Sequence, residues 1–304
     1  MTEFNYVLYH AFSDTVDGGS PAAIVANAGS LDALQMQTIA TDIGAPASCF
    51  ITAIEGRDIR VRFFSTQTEY PMCGHGTICL VSWLLDSAVL VWDSESANTA
   101  TVHTPGGSAE VDIRPTAGGR PEIMLALSAA DFESVEVDRQ TLADLFGVAA
   151  WDFDSKLPIE LTRSDFNHLI VPVNRLHTMR RLSPDFAAIT AFSRAIGVDT
   201  IALISRETVL AESDLHCREF CPAVGTPEAA ATGTTNRAIA CYLLRHGLVE
   251  ANADGMVKVI AEQGYEMNRP SRISTELRLK SNQVVAVKTG GVASRVRDGI
   301  CRLG

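Results

Sequence analysis

The chain is short of basic residues, and this shortage excludes one class of function. Lys and Arg number 25 against 36 Asp and Glu, which gives a formal net charge of −11. A nucleic-acid-binding face needs a surplus of Lys and Arg, so we expect no nucleic-acid partner. A small anionic substrate remains compatible with this charge, because helix N-termini create positive local fields even in an acidic protein.

Long hydrophobic runs are also missing. The most apolar stretch, Ile78 to Trp92, is interrupted by Asp86 and is too short to span a bilayer. The first residues show no basic segment followed by an apolar one, so we expect no signal peptide, no membrane partner and a cytoplasmic location. Seven cysteines, an odd number in a long chain, argue against a disulfide framework and for reduced thiols.

Signatures of bound cofactors are absent from the sequence as well. We find no cluster of metal ligands, no dinucleotide-binding glycine pattern and no lysine in a recognisable pyridoxal site. Cys217 and Cys221 have a spacing that some zinc sites use, but no second pair accompanies them. The chain is therefore predicted to work without a metal or an organic cofactor.

The most informative motif is a cysteine in a glycine-flanked loop, Pro71 to Thr77, which reads PMCGHGT. A helical run, Ile78 to Asp86, follows at once. The unpaired N–H groups and the positive end of that helix are predicted to lower the pKa of the Cys73 thiol. The same N–H groups can bind a substrate carboxylate.

A second loop of similar design occurs far downstream. It runs from Val224 to Thr235, and a helical run, Asn236 to Arg245, follows it. One such loop in each half of the chain indicates two pseudo-equivalent lobes. A chain of 304 residues is also natural for two lobes of roughly 120 to 160 residues each.

Hydrophobic periodicity predicts several mixed strands and one or two helices in each half. Outside the two loops, helices are expected at Asp32 to Ile43, Asp138 to Phe146 and Asp185 to Ile196. The lobes are predicted as residues 1–125 and 126–304, with the last residues allowed to pack back on the first lobe. Strands are expected at 6–12, 22–26, 48–52, 59–64, 97–103, 109–113, 122–127, 168–173, 200–205, 214–220, 257–263, 272–280 and 284–288.

Several further motifs occur in order along nearly the whole chain. They are Ala11-Phe12, Gly19 to Ala22, Cys73 to Thr77, Leu169 to Val173, Arg218 to Pro222, Gln263-Gly264 and Arg269 to Ser271. Together these motifs resemble the PhzF-like branch of the diaminopimelate epimerase and proline racemase superfamily. The resemblance implies an α+β fold of two similar lobes, each a mixed sheet curled around a central helix, with the active site between them. It also implies chemistry without metal, flavin or pyridoxal phosphate.

The departures from the PhzF pattern alter the expected chemistry. PhzF-type isomerases carry a catalytic glutamate where this chain has Ala47, and an aspartate where it has Ala229. The Cys73 loop instead resembles that of proline racemase and hydroxyproline epimerase, in which the cysteine removes a proton alpha to a carboxylate. The second cysteine of those families aligns with Ala231 or Thr232. Related one-base dehydratases carry threonine there.

These comparisons assign expected roles to particular residues. Cys73 is the predicted thiolate base, and Cys221 or Glu228 is the predicted acid on the opposite face. Ser20 is expected to orient the substrate, and Arg218 to pair with the substrate or with Glu219. The predicted substrate-binding residues are Ser20, Gly74, His75, Gly76, Thr232, Gly233 and Thr234, several of them through backbone N–H groups.

The sequence thus predicts a cofactor-independent racemase or epimerase that acts on a small carboxylate, such as an amino acid or hydroxy amino acid. Two alternatives stay open. One is a one-base dehydratase of a 3-hydroxy amino acid, and the other is a ligand-binding protein without activity. A homodimer is compatible with the sequence, which does not decide the oligomeric state.

Overall fold

The computed structural model describes residues 2–92, 98–164 and 166–303. The chain divides into two compact units. One unit contains Met1–Ala126 together with Gly290–Gly304, and the other contains Leu127–Thr289. Both units combine a mixed β-sheet with α-helices, so the predicted α+β class is confirmed. That the two lobes resemble each other in shape stays a prediction.

In the first unit, most strands that are consecutive in the chain are also neighbours in the sheet. β1 pairs antiparallel with β2 and with the C-terminal strand β18, β2 runs parallel to β3, and β4 runs parallel to β6. The helix α2 packs against β1, β2, β3 and β18. The elements are β1 (Thr2–Ala11), β2 (Ser20–Val25), α1 (Ala33–Ile43), β3 (Ala47–Glu55), β4 (Asp58–Phe64), β5 (Glu69–Tyr70), α2 (Gly74–Asp86), β6 (Asn98–Thr104), β7 (Gly107–Arg114), β8 (Glu122–Leu127) and β18 (Ala293–Leu303).

The second unit places α6 against β11 and β16. β13 lies between β12 and β14, both antiparallel to it, and also runs parallel to β15. The elements are β9 (Asp131–Ser134), α3 (Arg139–Phe146), β10 (Glu160–Arg163), β11 (His168–Pro172), α4 (Leu176–Arg181), α5 (Phe186–Ile196), β12 (Thr200–Ser205), β13 (Leu215–Cys221), β14 (Thr226–Ala229), α6 (Gly233–Arg245), β15 (Met256–Gln263), β16 (Ser271–Lys280) and β17 (Gln283–Gly291).

Helices with acidic caps match the sequence prediction closely. Asp32, Asp138 and Asp185 are the N-caps of α1, α3 and α5, and each accepts a hydrogen bond from the first turn of its helix. Each of these helices ends at a glycine in the left-handed conformation, which satisfies a terminal carbonyl. The predicted strands are found as well, although residue 97 lies outside the described residues.

The loop-to-helix boundaries were predicted wrongly at both motifs. α2 begins at Gly74 and α6 at Gly233, so the glycines form the first helical turn instead of preceding it. The low helix propensity of glycine placed the predicted starts too late, although both glycines lie in the first turn of their helices. The sequence also missed β18, in which Arg295, Arg297, Asp298 and Arg302 obscure the strand pattern, although the strand pairs with β1 along its length.

Candidate active site

Cys73 is the N-cap residue of α2, yet its side chain makes no capping hydrogen bond. The Sγ atom lies 3.5 Å from Nδ1 of His75 and 3.9 Å from Nε2. Burial raises the pKa of the Cys73 thiol to about 12, and a hydrogen bond from the Gly76 backbone opposes this shift only in part. The predicted lowering of this pKa is wrong, because desolvation outweighs the hydrogen bond at a side chain that is 7% exposed.

His75 contacts the thiol and does not project into solvent. Desolvation lowers the pKa of His75 to about 4, although a hydrogen bond to the backbone of Pro21 acts in the opposite direction. The imidazole is therefore neutral at pH 7 and can accept a proton. Ser20, a predicted substrate-binding residue, begins β2 immediately before Pro21 and is half-buried. The backbone of this strand thus connects Ser20 with the Cys73–His75 pair.

The two glycines after Cys73 differ in the space around them. Gly74 is exposed, and an added Cβ would meet nothing within 4 Å. At Gly76 a Cβ would lie 3.0 Å from the ring of Phe63 and 3.1 Å from Sγ of Cys49. Only a residue without a side chain fits at this turn without displacing its neighbours. Gly76 therefore brings the helix N-terminus close to the sheet.

Thr232 holds the same position in α6 that Cys73 holds in α2. The backbone angles are φ −140° and ψ 107° at Cys73, and φ −142° and ψ 116° at Thr232. Each residue caps a helix of 13 residues without a side-chain capping bond. Of the two residues that the sequence left open, Thr232 rather than Ala231 is thus the counterpart of Cys73. Gly233 and Thr234 follow it in the first turn.

Glu228, a predicted acid, is engaged in a buried ion pair. Arg218 donates two hydrogen bonds to its carboxylate, from Nε and Nη2, both at 2.8 Å. Arg218 also donates to the carbonyl of Met179 at 2.7 Å. Arg218 therefore does not pair with Glu219, because side chains alternate along β13 and Arg218 lies on the face next to Glu228; pairing with the substrate stays a prediction. Glu228 is consequently held by a cation.

Cys221, the other predicted acid, ends β13 at a point where its register with β14 shifts. The side chain is buried. Desolvation raises the pKa of Cys221 far above that of an ordinary thiol, and the charges of Glu219 and Glu228 raise it further. Cys221 therefore keeps its proton at neutral pH, which is the state that a proton donor needs.

Glu219 is a buried carboxylate whose surroundings the sequence did not reveal. The side chain is 1% exposed. Thr235 donates a hydrogen bond of 2.5 Å to Oε1, and Gln263 donates one of 3.5 Å to Oε2. Desolvation raises the pKa of Glu219, while hydrogen bonds from these and neighbouring side chains act against the shift. A charged residue in the otherwise apolar alternation of β13 was the available signal.

The ion pair of Arg218 and Glu228 belongs to a larger group of charged side chains, which we call the ion network. It consists of His216, Arg218, Glu228, Glu262 and Glu266. His216 lies between two carboxylates, with Nδ1 2.7 Å from Glu262 and Nε2 3.1 Å from Glu266. Desolvation would lower the pKa of His216, but the two hydrogen bonds outweigh it and raise the pKa above its usual value. Arg218 lies 3.9 Å from Glu266 and links the two halves of the network.

Neither a membrane-spanning helix nor a metal-ligand cluster is found among the described residues. Within residues 2–92, 98–164 and 166–303, no helix has the length and apolar character that a membrane crossing requires. Over the same ranges, no three His, Cys, Asp or Glu side chains come together as a metal site. All seven cysteines are buried and free of disulfide bonds.

Residues 9–299 match the family model described as phenazine biosynthesis-like protein, PhzC-PhzF. The chain belongs to this family. It is 26% identical over 288 residues to the trans-2,3-dihydro-3-hydroxyanthranilate isomerase of Pseudomonas fluorescens, covering 94% of this chain and 95% of that one. The PhzF-like resemblance is thereby confirmed, and one relative of this PhzF-family chain is a named isomerase.

Solved structures agree with this assignment. The PhzF-family phenazine biosynthesis protein of Bacillus anthracis superimposes with a TM-score of 0.91 at 26% identity, with 100% of both chains covered. A hydroxyproline epimerase from Agrobacterium vitis superimposes with a TM-score of 0.62 at 10% identity, covering 98% of this chain and 92% of that one. At this identity the second likeness concerns the fold alone.

Proposed function

We propose that this PhzF-family chain is a cofactor-independent isomerase that removes the alpha-proton of a small carboxylate with Cys73 as base. The observation that carries the proposal is the thiol at the N-cap of α2, which makes no capping bond and lies 3.5 Å from a neutral imidazole. Ala47 and Ala229 support it indirectly, because neither can perform the acid–base chemistry of PhzF-type isomerases.

The raised pKa of Cys73 requires a proton acceptor before the thiol can act. His75 is the nearest one, and its weakly basic ring can pass the thiol proton on to solvent, which leaves the thiolate beside a neutral imidazole. The thiolate then takes the alpha-proton, and the electron pair of the broken C–H bond moves onto the substrate carboxylate. Backbone N–H groups of the first α2 turn, at Gly74 and His75, stabilise the charge that develops there, while the Gly76 N–H donates to the thiolate.

Inversion also needs a proton donor for the opposite face of the alpha-carbon. Of the two candidates, Cys221 is favoured over Glu228, because its raised pKa keeps it protonated while Glu228 is ion-paired with Arg218. Donation from the Cys221 thiol forms the new C–H bond and leaves a thiolate. The reverse reaction returns the proton to Cys221 and leaves Cys73 as the thiolate.

A second candidate function is a one-base dehydratase of a 3-hydroxy amino acid. The observation that favours it is Thr232 at the position corresponding to Cys73, because a hydroxyl is too weak an acid and base to replace a thiol there. In this reaction Cys73 removes the alpha-proton, the beta-hydroxyl leaves as water, and the enamine product converts to an imino or keto acid.

The two functions are separated by incubating the protein in D2O with a panel of L- and D-amino acids, hydroxyprolines and 3-hydroxy acids. An isomerase gives alpha-deuterium and the opposite enantiomer, and Cys221→Ala should block inversion while one enantiomer still exchanges its proton. A dehydratase gives a keto or imino acid, which Cys221→Ala leaves unchanged. Cys73→Ser should abolish both reactions, and near wild-type turnover in that variant would refute the thiol base.

A further inference from the structure

A buried carboxylate lies directly behind the start of α6 and takes no part in the chemistry proposed above. Glu219 is on β13, with Ala202 of β12 and Ala229 of β14 as its cross-strand partners. It faces away from Arg218 and is 1% exposed. Burying a carboxylate costs free energy unless several donors hydrogen-bond to it. The donors to Glu219 therefore indicate which segments it holds in place.

The first partner is Thr235, in the opening turn of α6. Its hydroxyl donates to Glu219 at 2.5 Å and lies 3.3 Å from Nδ1 of His168. That Nδ1 is also 2.7 Å from the hydroxyl of Thr200. Because the Thr235 proton points at the carboxylate, its oxygen can only accept from His168, whose neutral ring therefore carries its proton on Nδ1. The hydroxyl of Thr235 is thus fixed from both sides.

The second partner is Gln263, which connects the carboxylate to the backbone around Thr232. Gln263 Nε2 donates to Glu219 and, at 2.8 Å, to the carbonyl of Ala229. Its Oε1 accepts from Nδ2 of Asn236 at 2.9 Å, and the same Nδ2 donates at 2.9 Å to the carbonyl of Thr232. The side-chain amides of Gln263 and Asn236 each have one possible orientation, because a flipped amide would place its oxygen against two acceptor oxygens.

We propose that Glu219 is a positioning residue that holds the segment Thr232 to Asn236 in the backbone conformation that matches the start of α2. The inference rests on the proposed function and on the prediction that Thr232, Gly233 and Thr234 of this segment bind the substrate. A carboxylate is needed at this position since it only accepts hydrogen bonds, and Thr235 and Gln263 both donate to it, as do the side chains of Thr232 and Thr200. A glutamine there would direct an NH2 group at one of those donors.

The test measures amide hydrogen exchange over residues 230–240 alongside turnover. Glu219→Gln and Thr235→Val should each raise exchange in this segment about tenfold, in proportion to the loss of a hydrogen bond to a charged group. Thr235→Ser keeps the hydroxyl and should restore the wild-type rate. Thr275→Val is the matched control, because it removes a buried hydroxyl in the same unit, 3.2 Å from Thr289, that is not a hydrogen-bond partner of Glu219.

Turnover gives the second measurement. The two disruptive variants should lower kcat about tenfold or more, with a smaller change in KM, while the Thr275→Val variant stays close to wild type. Unchanged exchange at residues 230–240 in Glu219→Gln, or an equal increase in the control, would overturn the proposal. The exchange measurement does not require activity, so failure of the isomerase assignment leaves it interpretable.

Discussion

The ionisation of Cys73 gives the sharpest test of the mechanism. Desolvation raises its pKa to about 12 in the free protein. The thiolate fraction at pH 8 is then about 10⁻⁴, whereas an ordinary thiol with a pKa of about 8.5 is about a quarter ionised. Since only the thiolate reacts with alkylating agents, Cys73 should react about a thousandfold more slowly than an ordinary thiol at this pH.

The sign of the pH dependence follows from the same shift. A raised pKa means that the thiolate fraction grows as pH rises, by about tenfold for each pH unit as long as the pH is below the pKa. The rate of Cys73 alkylation by iodoacetamide should rise throughout the range from about pH 6 to 10 without a plateau. Mass spectrometry of the peptide that contains residue 73 measures this rate. The value of kcat/KM should rise over the same range, since the thiolate is the active base.

Two controls accompany this measurement. A cysteine-containing peptide of the same local sequence gives the unburied rate, and Cys73→Ser removes the labelled site. A plateau in Cys73 alkylation below about pH 9 would show that the helix N-terminus overcomes desolvation. The reasoning about burial would then be refuted, and the thiolate would exist at rest as the sequence alone predicted.

Three further outcomes concern stability. Arg218→Met should lower the free energy of unfolding by about 3–5 kcal/mol in chemical denaturation, because it leaves the carboxylate of Glu228 without its cation; a loss below about 1 kcal/mol would contradict this. The network should also stabilise the fold most between about pH 4.5 and 6.5, since the pKa of His216 is raised and those of its two glutamates are lowered; His216→Asn should remove the decline in melting temperature above that window. Gly76→Ala should cost about 1–3 kcal/mol through contact with Phe63, whereas the exposed Gly74→Ala should not destabilise.

The sequence was sufficient where local chemistry decides the structure. Asp32 accepts the capping bond of α1, Gly44 ends that helix, and both features follow from side-chain and backbone preferences alone. The motif around Cys73 was equally clear, because few sequences place a thiol between a strand and a glycine-rich helix start. These predictions depend on residues that are close together in the chain.

Features decided by tertiary burial were beyond the sequence. The pKa of Cys73 depends on how much protein covers the thiol, which no neighbouring residue specifies. The choice of Arg218 between Glu219 and Glu228 depends on the pairing of β13 with β14, which the sequence did not predict as a strand. Likewise, the role of Glu219 appears only when Gln263, 44 residues away, is placed beside it.

The two helix starts have the same backbone and different chemistry, and this difference constrains any reaction that uses both. At α2 the N-cap is a thiol beside a neutral imidazole, and at α6 it is a hydroxyl whose helix is held by a buried carboxylate. Two equivalent thiols would make the forward and reverse proton transfers similar in pH dependence. Under the proposed function the two donors here, Cys73 with His75 and Cys221 without a histidine, are unequal. The value of kcat in the two directions should therefore respond differently to pH, whereas kcat/KM must change in parallel because its ratio is the equilibrium constant.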